Sequence, residues 1–124
     1  MKPKIIIADD DPGVQDIFKI IFEKAGFHTT VFSSGEPIMK NDYELPDVFL
    51  LDKQLSGTDG LDICRHLKSN SKTKDIPVIM VSATPHLEKL SKQAGADDFV
   101  EKPFSMHDLV DKVNAAIQKK ALAH

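Results

Sequence analysis

Five short apolar runs, each followed by an amphipathic stretch, recur along the chain, and this alternation constrains the fold more than any other feature. The first run, Lys4 to Asp9, carries Ile5-Ile6-Ile7 at consecutive positions, so both faces of a strand there are apolar. Such a strand belongs inside a parallel sheet covered by helices above and below. Comparable runs are His28 to Phe32, Asp47 to Asp52, Ile76 to Val81 and the short Asp97 to Val100. Strands alternating with helices imply right-handed crossovers and a doubly wound α/β sheet, with an expected strand order 2-1-3-4-5. A chain of 124 residues has room for one domain, 1–124, with one core.

The intervening segments carry helix signals. Asp11-Pro12 supplies a cap followed by proline at the first helical position, and Val14, Ile17, Phe18, Ile21 and Ala25 recur at helical spacing up to Gly26. A weakly patterned second helix is expected at Ser34 to Lys40. After a Ser56-Gly57 loop, Asp59 caps a third helix whose Leu61, Cys64 and Leu67 face inward. Ser69 to Asp75 reads as loop, and Lys68, Lys72 and Lys74 as a sparse, solvated basic stretch. The fourth helix is expected to start at Thr84-Pro85, with Leu87, Leu90 and Ala94 inward. Ser105 with Asp108 resembles a capping box opening a fifth, with Leu109, Val113, Ala116 and Ile117 as its apolar stripe.

Composition narrows the function. The formal charge of -3, with both signs dispersed, gives no broad basic surface, so nucleic-acid binding by this chain is not expected. The one cysteine, Cys64, cannot form an internal disulfide and reads as a small buried hydrophobe. No signal-like stretch opens the chain and no apolar run spans a membrane, so the expected setting is the cytoplasm without membrane attachment. The histidines at 28, 66, 86, 107 and 124 lack metal-ligand spacing and read as ordinary residues.

In an open parallel sheet the binding crevice lies beyond the carboxyl ends of the strands, where the winding reverses. Asp9 and Asp10 end the first strand, Asp52 the third and Ser82 the fourth, while Lys102 follows the fifth, so all five should share one edge. Mg²⁺ takes hard oxygen ligands and is commonly held by one or two carboxylates plus a phosphate. Two carboxylates about 5 Å apart repel by roughly 3 kcal/mol at an effective dielectric near 20, which a cation or Lys102 would relieve. The pattern points to a magnesium and phosphoryl site. Each part also has a plainer reading: the acidic triplet as a turn with Asp11 as cap, Lys102-Pro103 as a surface turn, Ser82 as a strand-end hydroxyl, Phe99 as core.

Over nearly its whole length the chain resembles the receiver domains of two-component response regulators. The resemblance rests on Ile5 to Asp11, Pro46 to Asp52, Gly57 with Asp59-Gly60, Pro77 to Ala83, Ala94 to Phe99 and Lys102-Pro103-Phe104. It implies the flavodoxin-like (βα)5 receiver fold, and a phosphoryl group accepted on Asp52 from a histidine kinase or a histidine phosphotransfer protein. It further implies that Asp10 and Asp52 bind Mg²⁺ directly, Asp9 through water and Gln54 through its backbone carbonyl. Lys102 would pair with the phosphoryl oxygens, Ser82 would be the switch hydroxyl and Phe99 the aromatic that moves with it. The implied role is regulatory rather than enzymatic, the domain assisting its own phosphorylation and dephosphorylation. The chain departs from the pattern at Ser56, where a proline is usual, and in a shortened interval between Ser82 and Lys102, which implies a shortened fourth helix or entry loop.

Other classes fit less well. A haloacid dehalogenase-type phosphatase needs a second aspartate two residues past the nucleophile, where this chain has Gln54. A flavin or nucleotide site needs a phosphate-cradling first loop, and Asp9 to Asp11 would repel a phosphate. The remaining alternative is a receiver-like interaction module that works without phosphorylation. No output domain is read after the fifth helix, so either a stand-alone regulator or a receiver excised from a longer protein is expected, its downstream target or output domain lying elsewhere.

Overall fold

The computed structural model describes residues 2–122. Its main sheet has five parallel strands: β1 (Lys4–Ala8), β2 (His28–Phe32), β3 (Val48–Asp52), β6 (Val78–Ser82) and β7 (Asp98–Glu101), in the order β2-β1-β3-β6-β7. Counting the sheet strands alone, this is the expected 2-1-3-4-5. The two other strands, β4 (Gln54–Leu55) and β5 (Thr58–Asp59), form a small antiparallel hairpin right after β3, where the sequence suggested only a loop.

Period-two alternation divides the core into two layers that share the sheet. Ile5 and Ile7 of β1, Val48 and Leu50 of β3, and Ile79 and Val81 of β6 pack with Phe18, Phe22, Leu109 and Val113. These last belong to α1 (Pro12–Lys24) and α5 (Met106–Leu122). The alternate residues, Ile6, Phe49, Leu51, Val78 and Met80, pack on the other face. Their partners include Ile38, Leu61, Cys64, Leu67, Leu87 and Ala94 of α2 (Glu36–Met39), α3 (Gly60–Ser69) and α4 (Leu87–Ala94). Consecutive apolar residues in the strands thus serve both faces, as buried parallel strands require.

The structure corrects several expectations. In α1 Phe18 is buried and Val14 packs on the core as read, but the other deeply buried residue is Phe22, whereas Ile17 is 48 % exposed and Ala25 is also exposed. The second helix is a single turn, not Ser34 to Lys40. The fourth sheet strand begins at Val78 rather than Ile76, behind Pro77, which has no N–H for the ladder. The fourth helix starts at Leu87 rather than Thr84-Pro85, because Thr84 is turned back onto Ser82 and His86 takes a left-handed backbone, φ 62°.

Lys68 is not solvated as read. Its ammonium donates to the carbonyls of Lys74 (3.1 Å) and Ile76 (2.9 Å) and to Asp97 Oδ2 (2.7 Å), pinning the end of α3 to the loops before β6 and β7. Cys64 is buried as expected, its thiol 3.5 Å from the Ala94 carbonyl and pushed up to about 11 by burial. Asp11 caps α1 through the N–H groups of Gly13 and Val14, and Asp59 caps α3 through that of Leu61. Ser105 Oγ accepts from Asp108 N–H ahead of α5. His124 lies outside the described residues. No helix among the described residues is long and apolar enough to cross a membrane.

Candidate functional site

The sheet ladder runs on past the strand ends and carries the candidate residues on one edge. Asp9 N–H donates to the Phe32 carbonyl (3.1 Å), Lys53 N–H to that of Val81 (3.0 Å) and Lys102 N–H to that of Ser82 (3.0 Å). The backbone on either side of the acid groups is therefore fixed by neighbouring strands rather than by loops.

Asp52 closes β3 and is 7 % exposed. Its two oxygens have different partners: Oδ1 accepts the Gln54 N–H (2.9 Å), while Oδ2 lies 3.4 Å from Lys102 Nζ. Lys102 follows β7 directly, and its bond to Pro103 is cis. A buried carboxylate with one oxygen held by a backbone amide and the other facing an ammonium is oriented and partly neutralised, yet still reached from the open end of the sheet.

Asp9 is more deeply placed, 1 % exposed. Its Oδ1 accepts the Asp11 N–H (2.9 Å), and its Oδ2 is buried with no hydrogen-bond partner. Burial pushes the Asp9 carboxyl up from 3.8 to about 6; the Asp11 N–H opposes that rise, the charge of Asp52 adds to it, and Lys102 offsets part of it. Asp10 behaves differently. It is exposed, and its Oδ2 accepts the hydroxyl of Ser56 (2.8 Å), on the turn of the β4–β5 hairpin. With Asp10 drawn to Ser56 and Asp11 spent as a cap, no group of three or more His, Cys, Asp or Glu side chains among the described residues is arranged to hold a metal ion.

Ser82 ends β6, buried, and its hydroxyl is already engaged: Oγ accepts Thr84 N–H (3.0 Å) and donates to Thr84 Oγ1 (2.7 Å). Phe99 on β7 is half-buried against the core layer of α3 and α4. Lys112 of α5 sits 5.2 Å from its ring centroid and donates to its carbonyl (2.9 Å). A cavity of about 510 Å³ lined by Asp75, Pro77, Asp97 and Ala116 lies against the residues that precede β6 and β7, away from this edge.

Sequence reasoning missed the purpose of Gly60. A Cβ there would lie well inside contact distance of the Asp52 carbonyl oxygen and 2.8 Å from Lys53 Cα, and Gly60 N–H donates to the Lys53 carbonyl (2.7 Å). The first residue of α3 is thus packed on the backbone that carries Asp52. The signal was the Asp59-Gly60 pair: a cap followed by the residue that permits the closest backbone approach.

A doubly wound sheet with an acidic pair, a lysine and a hydroxyl at its carboxyl edge defines the class of receiver domains. The family model described as "Response regulator receiver domain" matches residues 5–114, and the chain belongs to that family. It is similar to the DNA-binding response regulator MtrA of Mycolicibacterium smegmatis, 35% identical over 122 residues, which are 96% of this chain and 52% of that protein. It is also similar to the DNA-binding dual master transcriptional regulator RpaA of a Synechocystis strain, 32% identical over 94% of this chain and 50% of that protein. The chain spans about half the length of these curated relatives. Among solved structures, a CheY-like receiver domain protein from Methanospirillum hungatei superposes with a TM-score of 0.88 at 27% identity, over 100% of both chains. A receiver domain of a Pseudomonas aeruginosa sensor histidine kinase, described with a magnesium ion in its active site cleft, shares the fold at TM-score 0.85, 21% identity and 95% and 99% coverage. The fold and the family match thus agree on a receiver domain of the two-component type.

Proposed function

We propose that this domain accepts a phosphoryl group on Asp52 from a phosphohistidine of a kinase or phosphotransfer protein, in a Mg²⁺-dependent reaction, and thereby switches a partner-binding surface. The observation that carries this reading is the buried Asp52 carboxylate, held by Gln54 N–H on one oxygen and faced by Lys102 on the other. Phosphoryl transfer asks a protein for alignment and charge neutralisation more than for covalent help. A carboxylate oxygen of Asp52 attacks phosphorus, the P–N bond to the donor imidazole breaks, and the acyl phosphate keeps the transferred charge. Lys102 draws the developing charge toward itself, and Gln54 N–H keeps the carboxylate from rotating away.

The residues present fit a hard divalent cation. Asp9 offers a buried oxygen without a partner, and burial, with a smaller contribution from the charge of Asp52, pushes its carboxyl up, which a cation beside it would offset. Asp10 and Asp52 would hold Mg²⁺ directly, Asp9 through water and Gln54 through its backbone carbonyl. When bound, the ion offsets charge on the carboxylates and on the phosphoryl oxygens.

Ser82 would supply the switch hydroxyl, giving up its bonds to Thr84 to reach a phosphoryl oxygen, and Phe99 would move into the space released. Phosphorylation then perturbs β7 and α4, and amide spectra that change only beside Asp52 would count against the switch. The domain acts as a cytoplasmic regulator that assists its own phosphorylation and dephosphorylation. Its downstream target is a protein or an output domain.

The test is intact mass after incubation with acetyl phosphate, with and without Mg²⁺, for wild type and Asp52→Asn. The expected result is a magnesium-dependent gain of one phosphoryl group that the variant lacks. Labelling of the variant would point to another acceptor, and no gain under any condition would favour a phosphorylation-independent interaction module.

A further inference from the structure

Ser56 and Asp10 lie 46 positions apart in sequence, and the hydrogen bond between them joins the β4–β5 turn to the loop after β1. One further observation bears on it. The Asp9 carboxylate, 1 % exposed, has an oxygen with no hydrogen-bond partner, so the pocket holds a buried acceptor that the protein leaves unsatisfied. The third carboxylate of the edge, Asp10, is not gathered with Asp9 and Asp52; it is turned to the Ser56 hydroxyl.

On the reading that Asp10 is a cation ligand, we propose that Ser56 competes with the cation for Asp10, so that this one exposed hydroxyl sets the magnesium affinity of the site. In the metal-free domain the Asp10 carboxylate is satisfied by Ser56 Oγ. Cation entry exchanges that hydrogen bond for coordination, and whatever the bond contributes is subtracted from binding. An exposed hydrogen bond to a charged group is worth enough to weaken affinity about 3- to 10-fold. Ser56 is exposed and packs into no core layer, so its replacement leaves the fold intact.

The turn geometry supplies a clean control. Ser56 has negative φ and Gly57 a φ of 81°, the sign pattern of a type II turn, whose first central position favours proline. Ser56→Pro therefore keeps the turn and removes the hydroxyl, Ser56→Ala removes the hydroxyl alone, and Ser56→Thr retains it.

The experiment is calorimetric titration of MgCl₂ into the metal-free domain for wild type and these three variants, with Asp10→Asn and Asp52→Asn alongside. Both Ser56→Ala and Ser56→Pro are expected to bind Mg²⁺ about 3- to 10-fold more tightly than wild type, with Ser56→Thr within about twofold of it. Failure of either Ala or Pro to tighten binding, while wild type saturates and Asp10→Asn does not, overturns the competition and leaves the magnesium reading standing. No saturable heat in wild type overturns both.

Discussion

Replacing Asp9 by asparagine should stabilise the metal-free domain at neutral pH, and the structure sets the size of the gain. Asp9 is buried, one of its oxygens has no partner, and its carboxyl titrates at about 6 instead of 3.8. A carboxyl with a folded-state pKa above its unfolded value is stabilising when protonated. That contribution is complete below pH 3.8 and is lost as pH rises through about 6. The separation of the two values corresponds to about 3 kcal/mol of destabilisation at pH 7.5, falling to about half of that near pH 5 and to a small remainder near pH 4. Asparagine keeps an acceptor for the Asp11 N–H and carries no charge at any of these values, so Asp9→Asn should recover about 1–3 kcal/mol at pH 7.5 and little at pH 4. Urea unfolding in EDTA at pH 7.5, 5 and 4 measures this directly, as a difference in midpoint at constant slope. A variant no more stable than wild type at pH 7.5, or a gain of the same size at all three pH values, would refute the assignment of the strain to the buried Asp9 charge.

Gly60→Ala should cost about 1–3 kcal/mol by urea unfolding, because the new methyl is driven into the backbone carrying Asp52, and it should slow labelling by acetyl phosphate; unchanged stability would mean that α3 can retreat freely. Lys68→Met should cost about 2–3 kcal/mol in the same assay by leaving the Ile76 and Lys74 carbonyls and Asp97 without their shared donor, while substitution of the neighbouring Lys72 should cost less than about 0.5 kcal/mol. The Cys64 thiol, buried and pushed up to about 11, should react with Ellman's reagent only slowly in the native protein and within seconds in urea; fast native labelling would contradict its burial.

The sheet was legible because its evidence is distributed. Ile5-Ile6-Ile7 or Val78-Ile79-Met80-Val81 cannot be half-exposed without leaving large side chains in water, so the strands, their parallel sense and the carboxyl edge followed from pattern alone. Caps were equally readable, since Asp11 and Asp59 act on amides two or three residues away. What could not be read depends on long-range partners. Lys68 is indistinguishable in sequence from Lys72 until β6 and β7 bring two carbonyls and Asp97 to it. Ile17 and Phe18 are both apolar neighbours on α1, and only the packing against β1 and β3 shows that the ring goes in and the branched chain stays out. Of the candidate site, the converging residues were expected, but the outward turn of Asp10 to Ser56 was not, because nothing in a Ser-Gly turn announces a partner 46 positions earlier.

The division of the core by the sheet makes the molecule two compartments with a common wall. Phe99 abuts the same compartment as α4, whereas Leu109 and Val113 anchor α5 in the other. Paired substitutions on opposite sides, such as Leu87→Ala with Val113→Ala, touch no common side chain and should behave as independent perturbations, while Leu87→Ala with a change at Phe99 should not. Apart from Lys112 of α5, which reaches Phe99 at the sheet edge, each helical layer is thereby free to drift in sequence without renegotiating the other, provided the wall and the acids at its rim stay in place.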